Sequence, residues 1–223
     1  MIGQGVYTLS EVSRYTSLDY KLPRETARTW FKPRSDLKGR GPVFQSDYEP
    51  VGGDFAVSFL NFVDAYVASF FRRNFVKPKV IRRAHQLLQA KMRTSHPFAH
   101  AKLSTDGIRI IHEEMTEVDD AELIDVISQQ LLFSEFTSRL TRLRYDVDTR
   151  LAYELQIATG VVMNPRLSFG KPVVQNTGVS TYIIARQYVA NNKDAALVAR
   201  LFKITEAGVL NAYQFENSLG RAA

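Results

Sequence analysis

The sequence predicts a mainly helical α+β fold with small β-hairpins. Three observations predict it. Thr8-Leu9-Ser10-Glu11 is a capping box, the start signal of a helix. The apolar run Phe55 to Phe71 spans 17 residues, too many for an ordinary strand, and is followed by Arg72 and Arg73. Between the helical stretches lie short β-like runs at 151–157 and 161–163 and a hairpin signal at Asp106-Gly107.

The elements follow in order. After the capping box, Leu9, Val12 and Tyr15 form an apolar stripe of about two helical turns. Pro23 sits where a second helix can open, because its missing N–H is one that a first turn does not use. From that helix Ala27, Trp30 and Phe31 point one way, and Arg24, Glu25 and Arg28 another. Residues 32–54 are rich in Pro, Gly and charge and read as loop, with Gly52-Gly53-Asp54 a turn. Phe55 to Arg73 is apolar nearly all round apart from Asp64, so it is expected to be the central core helix. Asn74 ends it, and Pro78 opens a helix to about Met92 with Val80, Ile81, Ala84, Leu87 and Leu88 on one face. Lys79, Arg82, Arg83 and Lys91 occupy its other face. Leu131 to Arg144 reads as helix, although Phe133 and Phe136 leave a strand open. Three short helices near 181–190, 194–202 and 205–216 close the chain.

Composition narrows the function classes. Of 223 residues, 45% are hydrophobic and 23% charged, which suits a globular protein. The start MIGQGVYTLS lacks the blocks of a signal peptide, and the apolar run is short for a membrane span and holds Asp64, so a cytoplasmic protein without a membrane segment is expected. The absence of cysteine excludes disulfides, thiolate metal sites and a Cys nucleophile. The net charge of +6 is unevenly spread. Residues 71–110 carry ten Lys/Arg against Asp106 alone, whereas 111–126 carry seven Asp/Glu and no Lys/Arg. One block suits a polyanion and the next repels one, unless the two face each other across the fold.

Two stretches carry resemblances. Tyr7-Thr8-Leu9-x-Glu11-Val12, followed by Thr26-Ala27-Arg28-Thr29-Trp30, resembles the opening of the MerR-like winged helix-turn-helix. Its turn is about four residues longer than usual, the surplus lying in TSLDYKLP. The resemblance implies that Arg24, Glu25, Arg28 and Thr29 face a DNA groove, with Lys32, Arg34, Lys38 and Arg40 acting as a wing on phosphates. A plain packing motif is the competing reading.

NPRLSFGKPVVQNTGVS resembles the lead-in of a small prokaryotic helix-turn-helix domain through Pro165, Arg166, Leu167, Gly170, Lys171, Pro172, Val173, Val174, Thr177 and Val179. Phe202, Ile204, Thr205, Val209, Ala212, Phe215 and Glu216 continue that pattern, while Asn176 stands where glycine is usual. With the MerR-like half, nearly the whole chain resembles the VapB-type antitoxins of toxin–antitoxin pairs. The resemblance implies a homeodomain-like three-helix C-terminal module, a cognate PIN-domain ribonuclease toxin, operator double-stranded DNA, and repression of the protein's own operon. A homodimer and a larger assembly with the toxin are the expected states, twofold symmetry being the default for such readers.

The residues add a constraint. The last helix carries Glu206 and Glu216 and no Lys/Arg, a poor match to a phosphate-lined groove. It is therefore assigned to dimerisation or toxin docking through Val209, Leu210, Tyr213 and Phe215, with Leu201 and Phe202 beside them, core packing being the alternative. Arg139, Arg142, Arg144 and Arg221 are the arginines considered for the acidic, Mg²⁺-holding site of a PIN toxin. No catalytic motif occurs, and Pro97 between His96 and His100 speaks against a metal pair, so no enzyme, cofactor or metal is expected. The expected organisation is a DNA-binding domain over 1–112, an acidic connector over 113–160 and the C-terminal module over 161–223. A stand-alone MerR-like regulator with a ligand- or partner-binding C-terminal half, and a scaffold that never touches DNA, are the alternative readings.

Overall fold

The computed structural model describes residues 4–18, 22–32, 41–50, 55–103 and 130–220. The expected Asp106-Gly107 hairpin, the acidic run 111–126 and the turn at 52–54 lie outside the described residues. Its fold is mixed α+β, helical with small antiparallel sheets. Two compact units make it up: Tyr7–Ala152, and Tyr153–Ala223 together with Met1–Val6.

In the first unit, β1 (Tyr7–Thr8) pairs antiparallel with β2 (Ala56–Val57) in the register Tyr7↔Val57 and Thr8↔Ala56. Each strand runs straight into a helix cap. Thr8 caps α1 (Leu9–Thr16) with the full capping box, its hydroxyl accepting from the Glu11 amide at 3.2 Å and its own amide donating to the Glu11 carboxylate at 2.9 Å. Ser58 caps α3 (Phe59–Arg73) by accepting from the Asn61 amide at 3.1 Å. The core helix thus starts four residues later than the apolar run suggests. Ala56 and Val57 go to the sheet, because Ser58 offers the hydroxyl that a helix start requires.

Helix α3 is buried nearly all round, as its composition predicts. Phe62 stacks on Tyr7 at 5.0 Å, and Phe71 meets both Phe98 at 5.9 Å and Phe136 at 5.3 Å. Helix α2 spans Arg24–Phe31, with Pro23 one position earlier than expected, as the N-cap whose carbonyl accepts from the Ala27 amide. Helix α4 (Pro78–Met92) opens on Pro78 and buries Val80, Ile81, Ala84, His85 and Leu88. Helix α5 (Gln130–Leu140) stops four residues short of Arg144, and β3 (Leu143–Tyr145) takes up the chain.

In the second unit, β4 (Ala152–Ala158), β5 (Val161–Met163) and β6 (Val173–Val174) are joined antiparallel, with Leu155↔Met163 and Val161↔Val174 in register. Gly160 makes the β4–β5 turn at φ +67, and a Cβ there would sit 2.4 Å from the Asn211 side-chain nitrogen. Asn176 adopts φ 62, so asparagine fulfils the left-handed turn after β6 without glycine. Three helices follow: α6 (Thr181–Ala190), α7 (Ala195–Phe202) and α8 (Glu206–Ser218). Asp194 and Thr205 cap the last two, and Val174, Ile184, Val198, Ala199, Val209 and Ala212 form their shared core.

Candidate nucleic-acid interface

Helices α1 and α2 are locked together by Leu9, Val12, Tyr15, Leu22, Ala27 and Trp30, all buried. The Ser13 hydroxyl adds a bond to the Leu22 carbonyl at 2.5 Å across the turn. The opposite face of α2 presents Arg24, Glu25 and Arg28 to solvent. Arg28 leans on Glu25 at 3.6 Å, an exposed pair of small energetic weight that a phosphate can displace. Thr29 is half-buried, its hydroxyl donating back to the Thr26 carbonyl at 2.9 Å, and Lys32 is exposed at the helix end. Arg34, Lys38 and Arg40 lie outside the described residues.

Behind α2 is a feature that sequence reasoning missed. Phe44 wedges under the helix, its ring 5.7 Å from Trp30 and 5.5 Å from Phe31, and its amide donates to the Trp30 carbonyl at 2.8 Å. The segment carrying Phe44 is clamped by a partly buried charge network, in which Asp64 and His96 are interior and Asp47 reaches the surface. His96 Nδ1 meets Asp64 Oδ2 at 2.7 Å, and His96 Nε2 meets Asp47 Oδ1 at 3.1 Å. The Phe98 amide donates to the other Asp64 oxygen at 3.1 Å, and His85 Nε2 approaches that oxygen at 3.7 Å. Ser58 donates its hydroxyl to Asp47, and the Asp47 amide donates to Asn61 Oδ1 at 2.9 Å. Burial opposes a charged His96, but the hydrogen bonds and negative charges of Asp47 and Asp64 outweigh it and raise its pKa to about 10. Asp47 is driven below its usual value, against burial, by the bonds from His96 and Ser58. Both ring nitrogens of His96 are therefore committed to carboxylates. Among the described residues no group of His, Asp and Glu side chains is placed to hold a metal ion.

The arginines considered for a toxin's acidic site fall in different environments. Arg139 is buried: its guanidinium lies 4.5 Å above the Tyr66 ring and donates to the Tyr66 carbonyl at 2.6 Å and the Ser69 hydroxyl at 2.8 Å. It serves the α3–α5 contact and is out of a partner's direct reach. Arg142 is half-buried with a long 3.5 Å contact to the Tyr66 hydroxyl, Arg144 is exposed on β3, and Arg221 lies outside the described residues.

The proposed contact face on α8 divides similarly. Val209 and Phe215 are interior, Val209 as part of the three-helix core, whereas Leu210 is exposed and Tyr213 is half-buried beside Tyr188 at 5.0 Å. Leu201 on α7 is 59% exposed. Glu216 is fully buried and accepts from the Thr181 hydroxyl at 2.5 Å, so the surface charge of α8 comes from Glu206 and not from both glutamates.

No family model matches the chain. A Mycobacterium tuberculosis protein described as "Putative antitoxin VapB45" is 27% identical over 192 residues, covering 78% of each sequence. The chain thus resembles an antitoxin over most of its length. A solved structure described as the X-ray crystal structure of Rv2018 from Mycobacterium tuberculosis has the same fold, with a TM-score of 0.73 at 24% identity. That match covers 92% of this chain and 95% of the other. Among the described residues no helix is long and apolar enough to cross a membrane.

Proposed function

We propose that the protein is the antitoxin of a toxin–antitoxin pair, which binds operator double-stranded DNA through α2 and neutralises a cognate PIN-domain ribonuclease. The observation that carries this reading is the likeness to the antitoxin relative across 78% of both chains. The α1–α2 geometry supports the DNA half: a packed pair of helices whose outer face offers Arg24 and Arg28, in the manner of a MerR-like reader. DNA reading is assigned to 1–112, a connector to 113–160 and toxin docking or dimerisation to 161–223. Leu201, Leu210 and Tyr213 are exposed or half-exposed apolar groups of that last part and the ones assigned to the contact. Arg142 and Arg144 before that part, and Arg221 within it, are the candidate partners for the toxin's carboxylates. The role is non-catalytic and uses no cofactor, and twofold pairing of two copies would place two α2 helices on successive half-sites.

Two measurements test it. A gel shift against the DNA upstream of the gene is expected with the intact protein and is expected to vanish in Arg24→Gln/Arg28→Gln with the fold intact. Co-expression with the adjacent reading frame is expected to relieve that neighbour's toxicity and to co-purify it. A harmless neighbour that does not co-purify sinks the antitoxin reading.

A further inference from the structure

The turn between α3 and α4 carries a residue that its backbone disfavours. Asn74 caps α3, the Val76 amide donates to the Phe71 carbonyl at 3.0 Å, and the Phe75 amide donates to the Arg72 carbonyl at 3.1 Å. This is the Schellman pattern, whose left-handed position is usually glycine. Here it is Phe75, at φ 64. A bulky side chain in that region is an outlier that glycine would relieve. The ring gains nothing from the fold in exchange, since Phe75 is 90% exposed while Val76 beside it supplies the buried contact of the motif.

The surroundings of the ring are cationic. Arg73, Lys77, Lys79 and Arg83 are exposed along the turn and the first turns of α4, and no acidic residue occurs from Arg72 to Leu103. Among the described residues, Glu135 on α5 brings a carboxylate to 3.7 Å from Arg73. Helix α4 opens at Pro78, so the positive end of its dipole adds to the same field. A ring surrounded by cations is a poor match to the charge-depleted core of a protein interface and a better one to a polyanion. It suits nucleic acid, where one aromatic face stacks on one base and the cations meet the flanking phosphates.

We infer that Phe75 is a wedge that enters double-stranded DNA and unstacks a base step, with Arg73, Lys77 and Lys79 holding the adjacent phosphates. The inference rests on the DNA-binding half of the proposed function and adds a second, deforming contact to the reading helix. The strained turn serves to hold the ring outward.

The test uses the full chain and the upstream duplex in a gel shift, with permanganate footprinting of unstacked thymines. Phe75→Gly is expected to bind about tenfold more weakly and to lose a permanganate-reactive step that the unaltered protein produces. Its Tm should equal or exceed that of the unaltered protein, because the left-handed strain is removed and no packing is lost. Phe75→Trp should retain both binding and reactivity. Lys77→Gln/Lys79→Gln should lower the slope of log K against log salt by roughly two. Binding by Phe75→Gly equal to that of the unaltered chain overturns the inference while leaving the reader helix intact. So does a Tm several degrees lower, which would place the ring in the fold. If Arg24→Gln/Arg28→Gln still shifts DNA and Phe75→Gly does not, the reader assignment falls and the wedge stands. No shift by the unaltered chain at low salt removes both.

Discussion

Replacing His96 by Gln removes an imidazolium that bridges two carboxylates, Asp64 at 2.7 Å and Asp47 at 3.1 Å. The rise of its pKa from 6.5 to about 10 corresponds to at most about 5 kcal/mol of favoured charging in the folded state. A histidine whose pKa is raised by folding contributes fully below the unfolded value of 6.5. Its contribution falls by about 1.4 kcal/mol per pH unit from there and is gone above about 10. At pH 6 the substitution also leaves Asp64 buried without its charged partner, so a loss of about 3–5 kcal/mol is expected. Urea unfolding followed through Trp30, the single tryptophan and a neighbour of the clamped Phe44, is the assay. The difference between unaltered and His96→Gln protein should shrink steadily between pH 6.5 and 10, which separates His96 from other groups that titrate there. A difference that stays constant over that range, or one under about 1 kcal/mol at pH 6, refutes the charged-clamp argument.

Other outcomes follow from single contacts. Thr8→Ala and Ser58→Ala should each cost about 1 kcal/mol in denaturant unfolding from loss of a cap, with Ser58→Ala the larger because it also removes a donor to Asp47. Gly160→Ala should lower stability by about 1–2 kcal/mol, since φ +67 disfavours any side chain and a Cβ there displaces Asn211. Arg139→Met should disturb the α3–α5 packing, measurable as a lowered Tm, and a variant that keeps its Tm but loses toxin binding would return Arg139 to the docking surface.

Local chemistry was readable in the sequence and distant pairing was not. The capping box at Thr8, the apolar wrap of α3 and the three closing helices follow from neighbours within four residues. The α1–α2 face was equally visible, because the spacing of Ala27 and Trp30 against Arg24 and Arg28 is a property of one helix. Asp64 looked like a lone charge in an apolar run. Its meaning depends on His96, 32 residues on, and on Asp47 in a segment that reads as loop. Glu216 read as surface charge for the same reason, since Thr181 lies 35 residues away. The two-residue strand at Ala56–Val57 is too short to show an alternation, and only its partner Tyr7–Thr8 defines it.

That short ladder has a consequence for how the fold tolerates change. Thr8 ends one strand and caps α1, while Val57 ends its partner just before Ser58 caps α3. The starts of two helices are therefore pinned at one point by bonds that do not involve the connection between α1 and α2. Residues added to that connection leave the origin of α3 where the ladder and its cap hold it. The connection is therefore a place where the chain should accept an inserted peptide tag or a protease site with little disturbance to either helix start.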